Sequence, residues 1–477
     1  MNTFPPVVSV LGHVDHGKTT LLDAIRKSNI ANREHGGITQ KIGASSVEVS
    51  HEGGISRITF IDTPGHEAFS SMRGRGARVA DIGVLVIAAN DGVMPQTKES
   101  IQLLKNANIP YIVAFTKSDL PEAQIEKVKQ QLLKEDVIVD SLGGEVPSIE
   151  VSAKSGHNVK ELLDLILLVF EMNYAQEKEV GKVSENSPLE AVVIESKLDP
   201  KSGSRATIVI KNGTISVKDM VGAGSVKGKV RSLVTESGKM VNSATIGDAV
   251  EVLGFEGVPS VGSIVRKEGE KETGLVEAPK AVKKQASGEE KLISLILVAD
   301  TQGSLEAILY SLPERVNVIL SKTGDVSEAD VIMAKSTGAI ILTFNLKLKP
   351  DLQKFALLEK VLLKNYAIIY ELLDELGDVI EGKALAGMEQ LYGAARIQAV
   401  FPFEKTQVLG IKVMEGRIAK GDKIRIMRDD IVIGESSVVS LRQGKEIASK
   451  AEKNQEAGIL ISPFLDFSIG DVILSHS

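Results

Sequence analysis

Residues 12–19 of this sequence read Gly12-His13-Val14-Asp15-His16-Gly17-Lys18-Thr19. The stretch fits the pattern G-x-x-x-x-G-K-[ST] and lies between a β-branched run at 7–11 and a helical pattern at 21–25. In that context backbone N–H groups close around phosphate oxygens and the helix N-terminus adds partial positive charge, whereas an isolated match would be an ordinary glycine-rich turn. The stretch therefore predicts a phosphate-binding loop, with Lys18 reaching the β- and γ-phosphates and Thr19 binding Mg²⁺. We expect phosphate contacts from all eight loop residues, from Thr20 and from Gly65.

Short β-branched runs alternate with helical patterns around this loop, as far as about residue 174. The runs are Val7–Leu11, Ile58–Ile61, Val84–Ala88, Ile112–Phe115 and Ser148–Val151, and the helical patterns are Lys98–Ala107, Glu122–Glu135 and Val159–Tyr174. Such alternation is typical of a parallel sheet covered by helices. We therefore predict an α/β nucleotide-binding domain over residues 1–178.

A second motif, Asp62-Thr63-Pro64-Gly65, follows the predicted strand at 58–61. A phosphoryl-transfer site needs a carboxylate there to hold the magnesium shell, here through water, and a glycine N–H to contact the γ-phosphate. The motif on its own is also a good β-turn. Its position downstream of Lys18 favours the first interpretation, with Asp62 near the metal and Gly65 near the γ-phosphate.

Two further motifs predict a guanine pocket. Thr116-Lys117-Ser118-Asp119 ends one strand, and Asp119 is placed to accept hydrogen bonds from guanine N1 and the exocyclic N2. Adenine lacks that donor edge, so a carboxylate there selects guanine. Ser152-Ala153-Lys154 ends the next strand and offers a backbone N–H to guanine O6. Each motif is weak alone, and the first also fits a helix cap. Four motifs at four successive strand ends predict a domain that binds GTP or GDP, with base contacts from Thr116, Lys117, Asp119, Ser152, Ala153 and Lys154.

Four segments follow this domain, separated by polar or charged linkers near 174–188 and 267–291. Strand-length alternation between turns predicts a β-barrel over 186–270. The pattern of residues 206–221 returns at 409–424, so a second barrel is predicted over 393–477. Between the barrels we predict a small α/β domain over 291–348 and, from apolar residues at helical spacing, a long connecting helix over 350–390. The predicted fold class is thus multidomain, α/β plus β.

The composition excludes several classes of protein. A chain of 477 residues with 43% apolar residues is too long for one core and divides into three or four domains. A net charge of −7, spread along the chain, argues against indiscriminate nucleic-acid binding. The absence of cysteine excludes disulfides and thiolate metal sites. The N-terminus lacks the basic flank of a secretory signal, and the longest apolar stretch, Leu162–Met172, is too short to span a membrane. We expect a soluble, cytoplasmic monomer.

The nucleotide motifs resemble those of Ras-type GTPases and, more closely, those of translational GTPases, whose phosphate loop reads as residues 12–19 do here. Resemblance to the bacterial translation initiation factor 2 family covers nearly the whole chain, in the domain order and in the stretches 36–44, 62–69, 90–97, 193–199 and 299–308. It implies that Thr39 binds Mg²⁺ in the GTP state and that His66 orients the attacking water, with Lys18 as the other catalytic residue. It also implies GTP hydrolysis on the ribosome, promotion of subunit joining, and contacts with both ribosomal subunits and ribosomal RNA. The N-terminal extension usual in that family is expected to be missing.

The terminal barrel of that family binds the formylmethionyl end of initiator tRNA. Here residues 396–477 carry 12 basic and 11 acidic residues, so recognition of a small end group by shape is expected rather than charge-driven RNA binding. Many relatives have Glu-Cys-Gly-Ile where this chain has Glu456-Ala457-Gly458-Ile459. The resemblance places the tRNA-end pocket in the region of Arg425 and Gly458, while a barrel that only packs on a neighbour is the alternative.

Thr116 departs from the family, most members of which have asparagine there. An asparagine amide ties this loop to the phosphate loop, and threonine has only a hydroxyl, so we expect guanine selectivity with weaker affinity. Two rival interpretations remain: another ribosome-associated translational GTPase, such as one that delivers aminoacyl-tRNA, and a GTP-regulated scaffold for ribosome assembly. The α/β domain and connector do not fit the first, and the complete set Lys18, Thr19, Thr39, Asp62 and His66 argues against the second.

Overall fold

A computed structural model describes residues 4–26, 39–51, 54–178, 184–185, 187–270, 293–380, 392–403, 406–428, 431–444, 446–463, 465 and 467–476. The chain divides into two units, Met1–Ile380 and Glu381–Ser477. In the part of the chain that the structure describes, no helix combines the length and apolarity needed to cross a membrane.

The N-terminal domain is a mainly parallel sheet with helices on both faces. Its strands are β1 Val7–Gly12, β2 Gly43–His51, β3 Gly54–Asp62, β4 Ile82–Ala88, β5 Tyr111–Thr116 and β6 Ser148–Glu150, and its helices are α1 Lys18–Arg26, α2 Ser70–Val79, α3 Pro95–Ala107, α4 Ile125–Leu133 and α5 Val159–Lys178. The strand order is β2-β3-β1-β4-β5-β6, with β2 antiparallel to β3 and the other pairs parallel. Every residue of β1 and β4 is buried, as expected of strands covered on both faces. The predicted α/β class is confirmed, although β2 was not predicted.

A β-barrel follows, as predicted. Its strands are β7 Glu190–Asp199, β8 Gly203–Asn212, β9 Thr214–Ser216, β10 Met220–Ala223, β11 Val226–Val234, β12 Met240–Val241, β13 Ser243–Thr245, β14 Ala249–Phe255 and β15 Ile264–Lys267. Pairing of β10 with β11 closes the ring β10-β15-β7-β8-β14-β11. Alternate residues of β8, namely Ala206, Ile208 and Ile210, fill the barrel core.

The next domain is a four-stranded parallel sheet with helices on both faces. It comprises β16 Ile293–Ala299, α6 Gln302–Ser311, β17 Val316–Thr323, α7 Glu328–Thr337, β18 Ile340–Phe344, α8 Pro350–Leu358, β19 Leu363–Tyr366 and α9 Ile369–Ile380. The strand order is β17-β16-β18-β19.

The predicted connecting helix over 350–390 is wrong as one continuous helix: residues 350–358 and 369–380 are helical, but residues 359–368 are not. Residues 381–390 lie outside the described part of the chain. Helix α8 ends before Lys360, which has a φ of 57°, and β19 then pairs in parallel with β18 from Leu363 to Tyr366. Strand β19 has only four residues and lies among apolar residues at helical spacing. Such a short strand shows no alternation of its own by which the sequence could reveal it. Sheet pairing therefore decides the structure there, and the α/β domain extends to residue 380.

One hydrophobic cluster joins the three parts of the first unit. Phe69 and Met72 of the N-terminal domain pack in the same cluster as Ile194 of the barrel and Leu305 and Ile369 of the α/β domain. The segment that follows β3 is thus packed into the junction of all three parts.

The second unit is another closed barrel, as predicted. Its strands are β20 Gly393–Phe403, β21 Thr406–Ala419, β22 Lys423–Arg428, β23 Ile431–Gln443, β24 Glu446–Ile447, β25 Lys450–Glu452, β26 Glu456–Ser462 and β27 Val472–His476. The ring β20-β27-β22-β23-β26-β21 closes through pairing of β20 with β21. The two repeats recognised in the sequence therefore form barrels of the same strand number.

Candidate functional site: a cleft at the carboxyl edge of the first sheet

Loops that follow β1, β3, β5 and β6 converge on one cleft of about 380 Å³. The carboxyl ends of parallel strands meet at one edge of a sheet, which is the usual place for ligand sites in α/β folds. All lining residues except Leu120 were predicted from the sequence; they are Val14, Asp15, Gly17, Lys18, Thr19, Thr20, Thr39, Gly65, His66, Thr116, Lys117, Asp119, Leu120, Ala153 and Lys154. Five predicted residues are not on the lining: Gly12, His13, His16, Asp62 and Ser152.

The shape of the phosphate loop depends on its glycines. Gly12 has a φ of 149°, and a Cβ there would lie 2.3 Å from the Val86 carbonyl oxygen of β4. Gly17 has a φ of 83°, and between them Asp15 also adopts a positive φ, of 62°. L-residues with side chains rarely adopt such conformations, so the two glycines allow the tight path from β1 into α1.

Lys18 lies at the start of α1 with its ammonium group folded back under the loop. Its Nζ donates to the carbonyl oxygens of Gly12 at 3.0 Å and His13 at 2.5 Å. Burial lowers the pKa of Lys18 to about 8, with the charge of Asp62 acting in the opposite direction. A buried ammonium group is stabilised by an anion, which is the charge that a polyphosphate brings.

The two loop histidines do not present their rings to the cleft. His16 is fully buried, and its Nδ1 lies 3.3 Å from the Val86 carbonyl oxygen. Burial lowers the pKa of His16 to about 4, so the ring is neutral near pH 7. The His13 ring packs edge-on against it at 5.0 Å between centroids. Phosphate contacts from these two positions are therefore limited to the backbone.

The predicted metal ligands meet at the phosphate end. The hydroxyl oxygens of Thr19 and Thr39 lie 2.6 Å apart. Asp62 is buried near Lys18, where its charge partly opposes the lowering of the Lys18 pKa by burial. Hydroxyl, carboxylate and phosphate oxygens are the ligands that Mg²⁺ prefers, so this set fits the ion. Among the described residues no cluster of three or more His, Asp or Glu side chains forms a separate metal site. Gly36, Gly37 and Ile38, which precede Thr39, lie outside the described residues.

The opposite end of the cleft holds the predicted base contacts. Asp119 is exposed to the cleft, and hydrogen bonding from Ser152 is the main reason that its pKa is lowered. Ser152 is itself buried, while Ala153 and Lys154 line the cleft. The Thr116 hydroxyl donates to the His16 carbonyl oxygen at 2.6 Å. The Thr116 hydroxyl thus makes a hydrogen bond to the phosphate loop, which is the role expected of the asparagine amide in most members of the family.

His66 follows Gly65 and caps a short 3₁₀ turn, Glu67–Phe69. Its Nδ1 accepts from the Ala68 N–H at 2.9 Å. Burial lowers the pKa of His66, with the charge of Glu67 acting in the opposite direction, so the ring is neutral at pH 7 and carries its hydrogen on Nε2. The ring also packs edge-on against Tyr370 of α9, with centroids 3.9 Å apart.

Sequence reasoning missed four residues that hold these loops. Gln96 on α3 accepts from the Val14 N–H at 2.9 Å, and the fully buried Arg73 donates to carbonyl oxygens that follow β3. Gln40 donates to the Ala367 carbonyl oxygen at 2.9 Å, and Tyr370 contacts His66. Each acts between segments distant in sequence, so no local pattern indicates it.

In the second unit, the structure does not bring Arg425 and Gly458 together. Arg425 lies opposite Glu435 on β23 and donates to its carboxylate at 3.0 Å, whereas Gly458 lies opposite Arg442. These two positions on β23 are seven residues apart, which is roughly 20 Å of strand. The two residues therefore lie at different levels of the barrel, and their assignment to a tRNA-end pocket stays a prediction.

Family models match three parts of the chain. Residues 6–172 match the elongation factor Tu GTP binding domain, residues 188–267 match elongation factor G domain 2, and residues 267–377 match translation-initiation factor 2. Together with the fold and the cleft, these matches define a P-loop protein of the translational GTPase class.

Curated relatives extend the match to the whole chain. Translation initiation factor IF-2 of Carboxydothermus hydrogenoformans is 42% identical, over 98% of this chain and 59% of that protein. The same factor of Halothermothrix orenii is 40% identical, over 99% of this chain and 72% of that protein. The chain belongs to the translation initiation factor 2 family. It spans about half to three fifths of the length of the first three curated relatives. A solved structure of GDP-bound aIF5B from Aeropyrum pernix is 26% identical, with 99% of this chain and 92% of that chain covered and a TM-score of 0.47.

Proposed function

We propose that this chain is a GTP-binding and GTP-hydrolysing switch of translation initiation, with Mg²⁺ bound beside the nucleotide. The observation that carries the proposal is the convergence of four loops on one cleft, with a buried lysine and two threonine hydroxyls at one end and Asp119 at the other. Those ends suit a polyphosphate and a guanine base, and the family supports the same ligand.

Lys18 and the backbone N–H groups of residues 14–19 hold the phosphates and stabilise the charge that develops during hydrolysis. Mg²⁺, held by Thr19 and Thr39 with Asp62 behind them, would supply further positive charge at the phosphate oxygens. His66 orients the attacking water by donating from Nε2, since its Nδ1 already accepts from Ala68. Loss of the γ-phosphate removes the contacts to Thr39 and Gly65, which releases both loops.

The partners proposed are the two ribosomal subunits, ribosomal RNA and formylmethionyl initiator tRNA, in the cytoplasm. Membership of the family supports binding to the ribosome. The near-neutral charge of the second barrel suits recognition of a small tRNA end group by shape rather than by charge. Binding of the full chain to formylated, unformylated and elongator aminoacyl-tRNAs tests the last assignment. Equal binding to all three would contradict it.

A competition titration tests the nucleotide assignment. We expect GDP and GTP to displace a fluorescent guanine nucleotide at least 10³-fold more effectively than ADP and ATP, because only guanine can donate to Asp119. Removal of Mg²⁺ with a chelator should weaken binding of both guanine nucleotides. Comparable displacement by ATP would overturn the proposed ligand.

Nucleotide binding is expected to take up protons near pH 8. The pKa of Lys18 is lowered to about 8 by burial, and phosphate oxygens raise it again. The favourable charge interaction is fully present below pH 8 and weakens as the pH rises through that value, so GDP affinity falls and proton uptake grows between pH 7 and 8.5. Calorimetric titration in two buffers of different ionisation enthalpy measures the uptake. Equal heats in both buffers at pH 8.5 would contradict the prediction.

Thr116→Val is expected to weaken GDP binding about five-fold, because it removes a buried hydrogen bond worth about 1 kcal/mol. The variant leaves the His16 carbonyl oxygen without the Thr116 donor, which loosens the loop that carries Asp119. Thr116→Ser keeps the hydroxyl and is the matched control. Wild-type affinity in the valine variant would mean that the tie has no effect on binding.

A further inference from the structure

One buried side chain, Arg73, contacts three successive carbonyl groups of the segment after β3. Arg73 of α2 has no solvent exposure, and its Nη1 donates to the carbonyl oxygens of Pro64 at 3.2 Å and Gly65 at 3.0 Å. The same nitrogen also contacts the carbonyl oxygen of His66. One guanidinium group therefore holds three successive carbonyl groups on one side of the backbone.

The contact to the Pro64 carbonyl oxygen fixes the direction of the Gly65 N–H. In a trans peptide the N–H points away from the C=O of the same unit. Because the Pro64 carbonyl faces Arg73, the Gly65 N–H faces the opposite side. Gly65 also lies directly against the phosphate loop, since a Cβ there would be 2.5 Å from Lys18 Nζ and 3.0 Å from Val14 Cα.

Helix α3 connects this arrangement to the phosphate loop. The second guanidinium nitrogen of Arg73, Nη2, donates to Glu99 Oε2 at 2.6 Å. One turn earlier on α3, Gln96 accepts from the Val14 N–H at 2.9 Å. Residues three apart lie on the same helix face, so Gln96 and Glu99 set the spacing between the phosphate loop and the segment after β3.

We propose that Arg73, fixed by Glu99, is the positioning residue for the γ-phosphate side of the cleft: it aims the Gly65 N–H and sets the place of His66. Burying the Arg73 guanidinium costs several kcal/mol in desolvation, and its partner Glu99 is only partly buried, so the pair is weak evidence for a purely stabilising role. Arginine suits the task because its rigid fork donates to several acceptors at once, which lysine cannot do. The inference rests on the proposed GTP switch and adds a residue to it.

Arg73→Lys and Glu99→Gln test the inference, with Arg78→Lys on the exposed face of α2 as the matched control. GDP affinity should stay within two-fold in all three, since GDP lacks the γ-phosphate. Affinity for a non-hydrolysable GTP analogue should fall roughly ten-fold in Arg73→Lys, as expected for lost charge-assisted hydrogen bonds, and ribosome-stimulated kcat should fall by at least as much. Glu99→Gln should show the same selective loss, and Arg78→Lys neither change.

A double variant separates positioning from folding. If Arg73 acts through His66, adding His66→Ala to Arg73→Lys should lower kcat by much less than the product of the single effects. Equal loss of GDP and GTP-analogue affinity, together with a lower unfolding temperature, would mean that Arg73 only holds the fold. Wild-type behaviour in Arg73→Lys would also overturn the inference. Failure of the wild-type chain to bind GTP would instead reject the proposed function, so the two failures are distinct.

Discussion

Asp119→Asn is expected to reverse the base preference of the cleft. The carboxylate can accept from both guanine N1 and N2, whereas an amide offers one acceptor and an N–H₂ donor. Xanthine carries an oxygen in place of the exocyclic amine, so it suits the amide. We expect GDP affinity to fall by roughly 10³-fold and xanthosine diphosphate to bind more tightly than GDP, by analogy with sites whose polar groups are left unpaired.

Competition of both diphosphates against a fluorescent nucleotide measures this reversal. Glu122→Gln, a carboxylate-to-amide change at an exposed position three residues away, is the control and should leave both affinities unchanged. GDP binding at wild-type strength by Asp119→Asn would remove Asp119 from the base pocket.

His66→Ala is expected to spare GTP binding and to lower ribosome-stimulated turnover by about 10³-fold, within the range for a positioned proton-transfer or water-orienting group. Binding is spared because Lys18 and the loop backbone hold the phosphates without the imidazole. Single-turnover hydrolysis with ribosomal subunits separates kcat from affinity. His157→Ala, at an exposed histidine, is the control. Equal stimulated rates in His66→Ala and wild type would remove the assigned role.

The sequence predicted the cleft well because each motif is local and lies at a strand end. Residues 12–19 place glycines at two positions of positive φ on the path from β1 into α1. Parallel strands then bring Asp62, Thr116 and Ser152 to the same edge of the sheet. The element types were predictable where the period was sustained over a whole strand or helix. Both barrels were predicted for that reason, and the turns that they share at matching positions showed that they are of one type.

The misses have one physical cause, which is contact between segments distant in the chain. The Leu363–Tyr366 strand exists because β18 pairs with it, so its own four residues could not indicate it. Arg73 and Gln96 matter through partners about ten to eighty residues away, and the sequence around each reads as an ordinary helix. Weaker nucleotide affinity was expected from Thr116 because only the residue type was known. In the structure its hydroxyl reaches the His16 carbonyl oxygen and links the two loops.

GTP turnover by the purified chain, measured alone and with both ribosomal subunits plus initiator or elongator tRNA, tests the central claim most directly. The proposed function predicts slow turnover alone and strong stimulation by ribosomes, with faster subunit joining for formylmethionyl initiator tRNA than for elongator tRNA. Ribosome stimulation with no preference between the tRNAs would contradict the role in initiation. Turnover that ribosomes leave unchanged would contradict the translational switch itself.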